Sequence, residues 1–291
     1  MNTLELQRLG NEVRRHVLRT VHQAGAGHIG GVLSAADIFA ALYFSELRID
    51  PKRPRWDDRD RFILSKGHCA IGLYAVLAMR GYFPIEELAT FDAINSRLQG
   101  HPDMTKLPGL DMSTGSLGQG LSPGVGMALG ARILGKGFRT WVMLGDGEIQ
   151  EGQIWEAAFI AARYELENLT AILDWNHLQQ FGWSTQAGYA SSARRDPTDS
   201  PAEKWRAFGW HVTESDGHDV ADFLRACSEA RAARQRPTLI VAHTVKGKGV
   251  SFMENEFAWH SRPISDDDLR RALEEIDRAD RLSIAQQGSV R

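Results

Sequence analysis

Five short apolar runs, at 61–64, 140–144, 169–174, 208–213 and 238–243, constrain this chain more than any other feature. Stretches with helical spacing of apolar residues separate them, at 67–80, 120–134, 154–164 and 220–234. Strands alternating with helices imply parallel βαβ units. The predicted fold class is therefore α/β: one open, mostly parallel sheet with helices on both faces. Ahead of the first run, residues 4–23 read as a helix through Leu4, Leu6, Leu9, Val13, Val17, Leu18 and Val21. A second helix is predicted from 35 to about 47, with Ser34 and Asp37 as its capping pair. A charged helix from 266 to about 278 and a polar tail close the chain, giving an expected organisation of one domain over 1–265 followed by 266–291. Residues 98–120, rich in Gly and Pro, form a loop of a length that is usually functional in a compact chain.

At 291 residues the chain is long enough to bury a sizeable core without staples. With 43% apolar and 24% charged residues, disordered and fibrous classes are excluded. A formal charge of −3 provides no electrostatic footprint for nucleic acid or an anionic membrane. Cys69 and Cys227 are the only cysteines and read as free thiols in a reducing compartment, Cys69 as a small buried one. No run approaches a membrane span, and the first 25 residues mix charges with leucines unlike a signal peptide, so a cytoplasmic location is expected.

The sharpest local feature is Trp141-Val-Met-Leu-Gly-Asp-Gly-Glu148, matched by Ile172-Leu-Asp-Trp-Asn176. Both place small or polar residues directly after an apolar strand, where open α/β sheets bind ligands. Gly145 and Gly147 let the backbone approach a phosphate, and the following helix favours an anion. Asp146 offers one hard carboxylate and Asn176 an amide oxygen, a donor set that suits Mg²⁺ shared with substrate phosphates. A plain turn is the competing reading of Gly-Asp-Gly alone. Gly130 to Gly137 lacks the Ser or Thr of a Walker A loop, and Gly124-x-Gly126-x-x-x-Gly130 lies inside a helix; both read as packing and capping glycines.

His28, His68, His101 and His260 each sit in a glycine- or proline-marked turn and could converge on one pocket to trade protons. None shows zinc spacing. The other six histidines (His16, His22, His177, His211, His218, His243) read as surface or structural. The segment Met112-Ser-Thr-Gly-Ser-Leu-Gly-Gln-Gly120 either lines a polar ligand or opens a packed helix. Lys246, in Lys-Gly-Lys-Gly after a strand, either neutralises a phosphate or forms a solvated turn. Arg194-Arg195-Asp196 is most simply a mobile loop.

In order and with matching gaps, these residues resemble the amino-terminal, diphosphate-binding half of transketolase, from about residue 10 to 265. The likeness is carried by Ala-Gly-His28-Ile-Gly-Gly, Ser-Lys-Gly-His68, Gly-His101-Pro-Asp, Ser-Thr-Gly115-Ser-Leu-Gly-Gln-Gly, Gly-Asp146-Gly-Glu-Ile-Gln-Glu151-Gly, Asp-Trp-Asn176, Phe-Gly-Trp at 181–183, Asp-Gly-His218, and Lys246-Gly-Lys-Gly with Trp-His260. The ordered set is highly specific. It implies the thiamine diphosphate-binding fold, with thiamine diphosphate and Mg²⁺, or another divalent cation such as Ca²⁺ or Mn²⁺. By resemblance Asp146, Asn176 and the backbone carbonyl of Leu178 hold the metal. Gly145, Gly147, Glu148, His68, Lys246 and His260 are the implied diphosphate and pocket contacts, and Gly115, Ser116 and Leu117 lie beside the cofactor rings. The four loop histidines handle substrate hydroxyls and protons, and Glu151 belongs to a network joining two active sites across a dimer.

Whole transketolases continue through a pyrimidine-binding and a carboxyl-terminal domain, which do not fit after Arg262. A smaller departure is Trp175 and His177 around Asn176. The expectation is the amino-terminal subunit of a split transketolase, with a partner carrying the missing domains in an α₂β₂ assembly. Sugars or sugar phosphates are the expected substrates, with a two-carbon ketol unit transferred. The alternatives are a related thiamine-dependent transfer on an apulose-, sulfosugar- or deoxyxylulose-type substrate, or a non-catalytic regulatory subunit.

Overall fold

A computed structural model of the chain describes residues 1–179 and 200–288. The strands are β1 (Arg61–Leu64), β2 (Thr140–Gly145), β3 (Leu169–Trp175), β4 (His211–Asp216) and β5 (Thr238–His243). They form one sheet in the order β1-β2-β3-β5-β4, with every neighbouring pair parallel. The α-helices are α1 (Thr3–Ala24), α2 (Gly30–Ala41), α3 (Ala70–Met79), α4 (Leu121–Ile133), α5 (Gly152–Arg163), α6 (Pro201–Ala207), α7 (Val220–Ala232) and α8 (Asp266–Gly288).

Side chains alternate across a strand, so one strand feeds two cores. Trp141 and Met143 of β2 pack with Val13, Phe39, Leu73, Phe223 and Ile276, from α1, α2, α3, α7 and α8. Val142 and Leu144 pack with Leu121, Ile154 and Trp205, from α4, α5 and α6. Helices therefore cover both faces, as the alternation of runs predicts. Asn11 and Arg15 of α1 anchor α8: Arg15 reaches Asp277 at 2.8 Å and Asp280 at 2.5 Å, and Asn11 bonds Asp280 at 2.6 Å.

Three boundaries depart from the sequence reading. Helix α2 begins at Gly30, and every residue of it is buried, so Ser34 and Asp37 are interior and not caps. Ser34 Oγ donates to Asp174, while Asp37 pairs with Arg14 and His218. The run at 208–213 is only partly strand: Phe208 and Trp210 close α6 and pack inward, Trp210 donating to the Ala158 carbonyl, and β4 starts at His211. Helix α8 runs ten residues past its expected end, held by the bonds from α1. Of the α4 glycines, only Gly124 packs, against Val142; Gly126 and Gly130 face open space. Beside them on α4 and α5 lie exposed Ile133, Leu134, Phe159 and Tyr164.

Both cysteines are free and Cys69 is buried, as expected; Cys227 is buried too. Among the described residues no helix is long and apolar enough to cross a membrane. Phe-Gly-Trp at 181–183, Arg194-Arg195-Asp196 and the last residues of the tail lie outside the described residues.

Candidate active site

The parallel sheet brings the carboxyl ends of β1, β2, β3 and β5 to one rim, facing the start of α2. Register sets Gly145 of β2 beside Asp174 of β3, so Asp146 and Asn176 emerge close together past their strands. Asp146 is 5% exposed. One of its oxygens accepts the Gly147 N–H at 2.8 Å, and the other is buried without a hydrogen-bond partner. Burial, and then the nearby Asp174, push its pKa up to about 6. Asn176 Oδ1 accepts the Leu178 N–H at 3.1 Å. The Leu178 carbonyl accepts from Lys246 Nζ at 2.7 Å, and the same ammonium meets His260 Nδ1 at 2.8 Å.

A buried carboxylate oxygen with nothing donating to it is costly unless a cation arrives. Together with an amide oxygen and a main-chain carbonyl, it makes an all-oxygen donor set of the kind Mg²⁺ takes alongside phosphate oxygens. Among the described residues no group of three or more His, Cys, Asp or Glu is placed to hold a metal ion, so a nitrogen- or sulfur-rich zinc-type centre has no counterpart there. The residues fit the metal expected from the sequence.

The four loop histidines converge. His28 stands at the middle, its ring centroid 5.2 Å from His68, 6.3 Å from His101 and 5.3 Å from His260. His68 and His260 stack at 5.6 Å. Burial, followed by Lys66, depresses His68 to about 2; burial, followed by Lys246, depresses His260 to about 3. His28 is lowered too, by burial and then His101. These rings are neutral at neutral pH, able to give and take a proton in the same site. Because an ammonium only donates, His260 Nδ1 is the acceptor from Lys246 and its proton sits on Nε2.

Neutral burial has a consequence for acid stability. An unfolded histidine binds a proton below 6.5, while folded His68 stays neutral until about 2. The unfolded state then holds more protons below pH 6.5, so this contribution is present above 6.5 and is lost as pH falls. Asp146 acts in the opposite sense, since its raised pKa makes the folded state the better proton binder below about 6. The difference between variants isolates the histidine: His68→Gln should lose less melting temperature between pH 7 and 5 than the unmodified protein. An equal drop in both would refute a neutral His68.

Gly115, Leu117, Gly145, Gly147, Lys246, Asn176 and Leu178 line the cavity with His28, His68 and His260. Ser116 and the exposed His101 do not line it; His101 reaches the group through His28. Glu148 lines it too, with its carboxylate committed to Ser65 Oγ at 2.5 Å and to the Gly118 and Gly145 N–H groups at 2.9 and 3.0 Å. It braces the 112–120 loop against the end of β2. Glu151 is exposed at the start of α5. Gly67 allows that loop to approach, since a Cβ there would lie 2.7 Å from the Gly115 nitrogen. Sequence reasoning missed Lys66, Gly31 and Gln179 as cavity residues. Lys66 and Gly31 stood inside motifs quoted for His68 and His28, and only the fold reveals that they face inward.

The family model described as transketolase, thiamine diphosphate binding domain, matches residues 6–284. The chain belongs to the transketolase family. Similar to this transketolase-family chain is the 6-deoxy-6-sulfo-D-fructose transketolase subunit of Clostridium sp., 41% identical over 275 residues, covering 94% of this chain and 97% of that protein. An apulose-4-phosphate transketolase subunit of Phocaeicola vulgatus is 40% identical over 276 residues, covering 95% of this chain and 94% of that protein. Mouse transketolase is 39% identical over 272 residues, 93% of this chain but 42% of its own length. Among solved structures, transketolase from Leishmania mexicana superposes with a TM-score of 0.86 at 30% identity, covering 94% of this chain and 41% of that one. The family thus accounts for the sheet and for the thiamine diphosphate-binding domain.

Proposed function

We propose that the chain is the diphosphate-binding subunit of a two-chain transketolase that moves a two-carbon ketol unit from a ketose or ketose phosphate to an aldose acceptor. The observation carrying this reading is the unpartnered Asp146 oxygen beside Asn176, facing a ring of neutral histidines. Asp146, Asn176 and the Leu178 carbonyl would hold a divalent cation, Mg²⁺ first among them. Lys246 would take the diphosphate, with Gly145 and Gly147 lining its seat, and the Gly115–Leu117 loop would lie beside the rings. Thiamine diphosphate supplies the carbon–carbon bond chemistry when bound. His28, His68 and His260 would hold substrate hydroxyls and pass a proton to and from the developing alkoxide, with His101 at the outer edge.

Support for a partner comes from relatives of matching length that carry the name of subunits. The cavity, about 210 Å³, is smaller than the ~300–1,000 Å³ that encloses a small-molecule ligand, as half a site would be. The exposed apolar strip on α4 and α5 supplies a surface to cover. The proposed partner carries the pyrimidine-binding and carboxyl-terminal domains, assembled as α₂β₂. The relatives named for 6-deoxy-6-sulfo-D-fructose and apulose 4-phosphate favour a narrower reading, in which the donor is an unusual sugar.

The test is reconstitution. The purified chain should show no ketol transfer over a panel of xylulose 5-phosphate, apulose 4-phosphate and 6-deoxy-6-sulfo-D-fructose, and adding the partner should restore it with at least one donor. Full activity of the chain alone would overturn the two-chain reading. An inactive complex that also takes up no cofactor would overturn the enzyme reading.

A further inference from the structure

Below the cavity floor, Asp174 of β3 is 0% exposed and yet bonds four side chains from four different segments. Its Oδ2 accepts from Ser34 Oγ at 2.6 Å, from Asn176 Nδ2 at 3.3 Å and from the Lys66 ammonium, and its Oδ1 accepts from Thr244 Oγ1. Lys66 Nζ also donates to the Gly31 carbonyl at 2.9 Å. Neither Asp174 nor Lys66 has a role in the site as proposed above.

We propose that Asp174, ion-paired to Lys66, is a positioning residue that fixes which end of the Asn176 amide faces the cavity. This rests on the reading of Asn176 as a metal ligand. A side-chain amide can present either its oxygen or its NH₂ to a neighbour. Asp174 accepts at every side-chain contact it makes, from an ammonium and two hydroxyls, so Asn176 turns its NH₂ toward it. Its oxygen then points the other way, where the Leu178 N–H donates to it and where the cation would bind. The pair thus turns a symmetric-looking amide into an oxygen ligand of fixed direction.

Asp174→Asn preserves shape and removes the one-way instruction, since an amide at 174 can pair with Asn176 in either orientation. In the complex with its partner subunit, thiamine diphosphate uptake is followed by near-UV circular dichroism during a Mg²⁺ titration. The variant should need about tenfold or more Mg²⁺ for half-saturation, the worth of one or two lost hydrogen bonds. Ser34→Ala and Thr244→Val remove other bonds to the same carboxylate; they should lower melting temperature and leave half-saturation within about twofold of the unmodified complex. If Asp174→Asn does not fold, Lys66→Met combined with Asp174→Asn leaves no orphaned buried charge and should show the same Mg²⁺ defect. Unchanged Mg²⁺ dependence in the variants at 174, or an equal shift in the Ser34 and Thr244 variants, would overturn the positioning role. No Mg²⁺-dependent uptake by the unmodified complex would instead overturn the metal site on which it rests.

Discussion

Asp146→Asn should make the ligand-free chain more stable at pH 8 while removing its capacity to take up thiamine diphosphate with Mg²⁺. Folding moves this carboxyl from 3.8 to about 6, so above pH 6 the folded state bears a charge it holds poorly. The unfolded chain bears no such penalty, and the amide removes it. A shift of this size corresponds to ~3 kcal/mol, which is about 6–12 °C in melting temperature for a chain approaching this length. The sign is checked by pH: below about 6 the acid is protonated in the folded state, so the gain should fade as pH falls toward 4. Removing the only carboxylate of the proposed cation site should weaken Mg²⁺-dependent uptake by at least about 100-fold. Melting curves at pH 8 and 4.5, with calorimetry of cofactor binding, test both halves. Equal or lower stability at pH 8 would mean that Asp146 is not held as an unpaired charge.

Gly247→Ala should be the most damaging substitution of a single hydrogen by a methyl group. Gly247 has φ +81°, where a Cβ is strained, and its N–H donates to the Gly30 carbonyl at 3.0 Å. A Cβ there would overlap the Met253 carbonyl group and come within 3.0 Å of the Glu254 nitrogen. The obstacle is main chain, which cannot rotate aside as a flexible side chain would. The turn must move, and Lys246 with it, away from Leu178 and His260. The expected cost is ~3 kcal/mol from the strained φ and the overlap combined, with cofactor uptake weakened by about 30-fold or more as Lys246 leaves its place. Calorimetry and thermal melts of the variant provide the check. Unaltered cofactor affinity would show that this turn does not set the lysine.

Much of this architecture was legible because burial on both faces demands continuous apolar runs, and β2, β3 and β5 have them. Strand β4 was harder to place: only its alternate residues are buried, and Trp210 just before it is apolar for a different reason, its contact with α5. Ser34 and Asp37 show the limit of local rules. Their spacing matches a cap, but what decides their role is Asp174, Arg14 and His218, all distant in sequence. Asp146, Asn176 and the four histidines were readable because each sits in a marked turn next to a strand or helix end. Lys66 and Asp174 were not, since a lysine before a glycine and an aspartate inside a strand carry no local mark of a shared site, and only the parallel register brings them under the same cavity.

The cavity draws on positions from His28 to His260, nearly the whole described sequence, and no two neighbouring strands of the sheet are joined by a hairpin. Every crossover must close before the walls exist, and such non-local topologies fold slowly. A nascent or clipped chain therefore has no partial version of this site. Cofactor capture becomes a late event in the life of the polypeptide, and it reports that the entire sheet has closed.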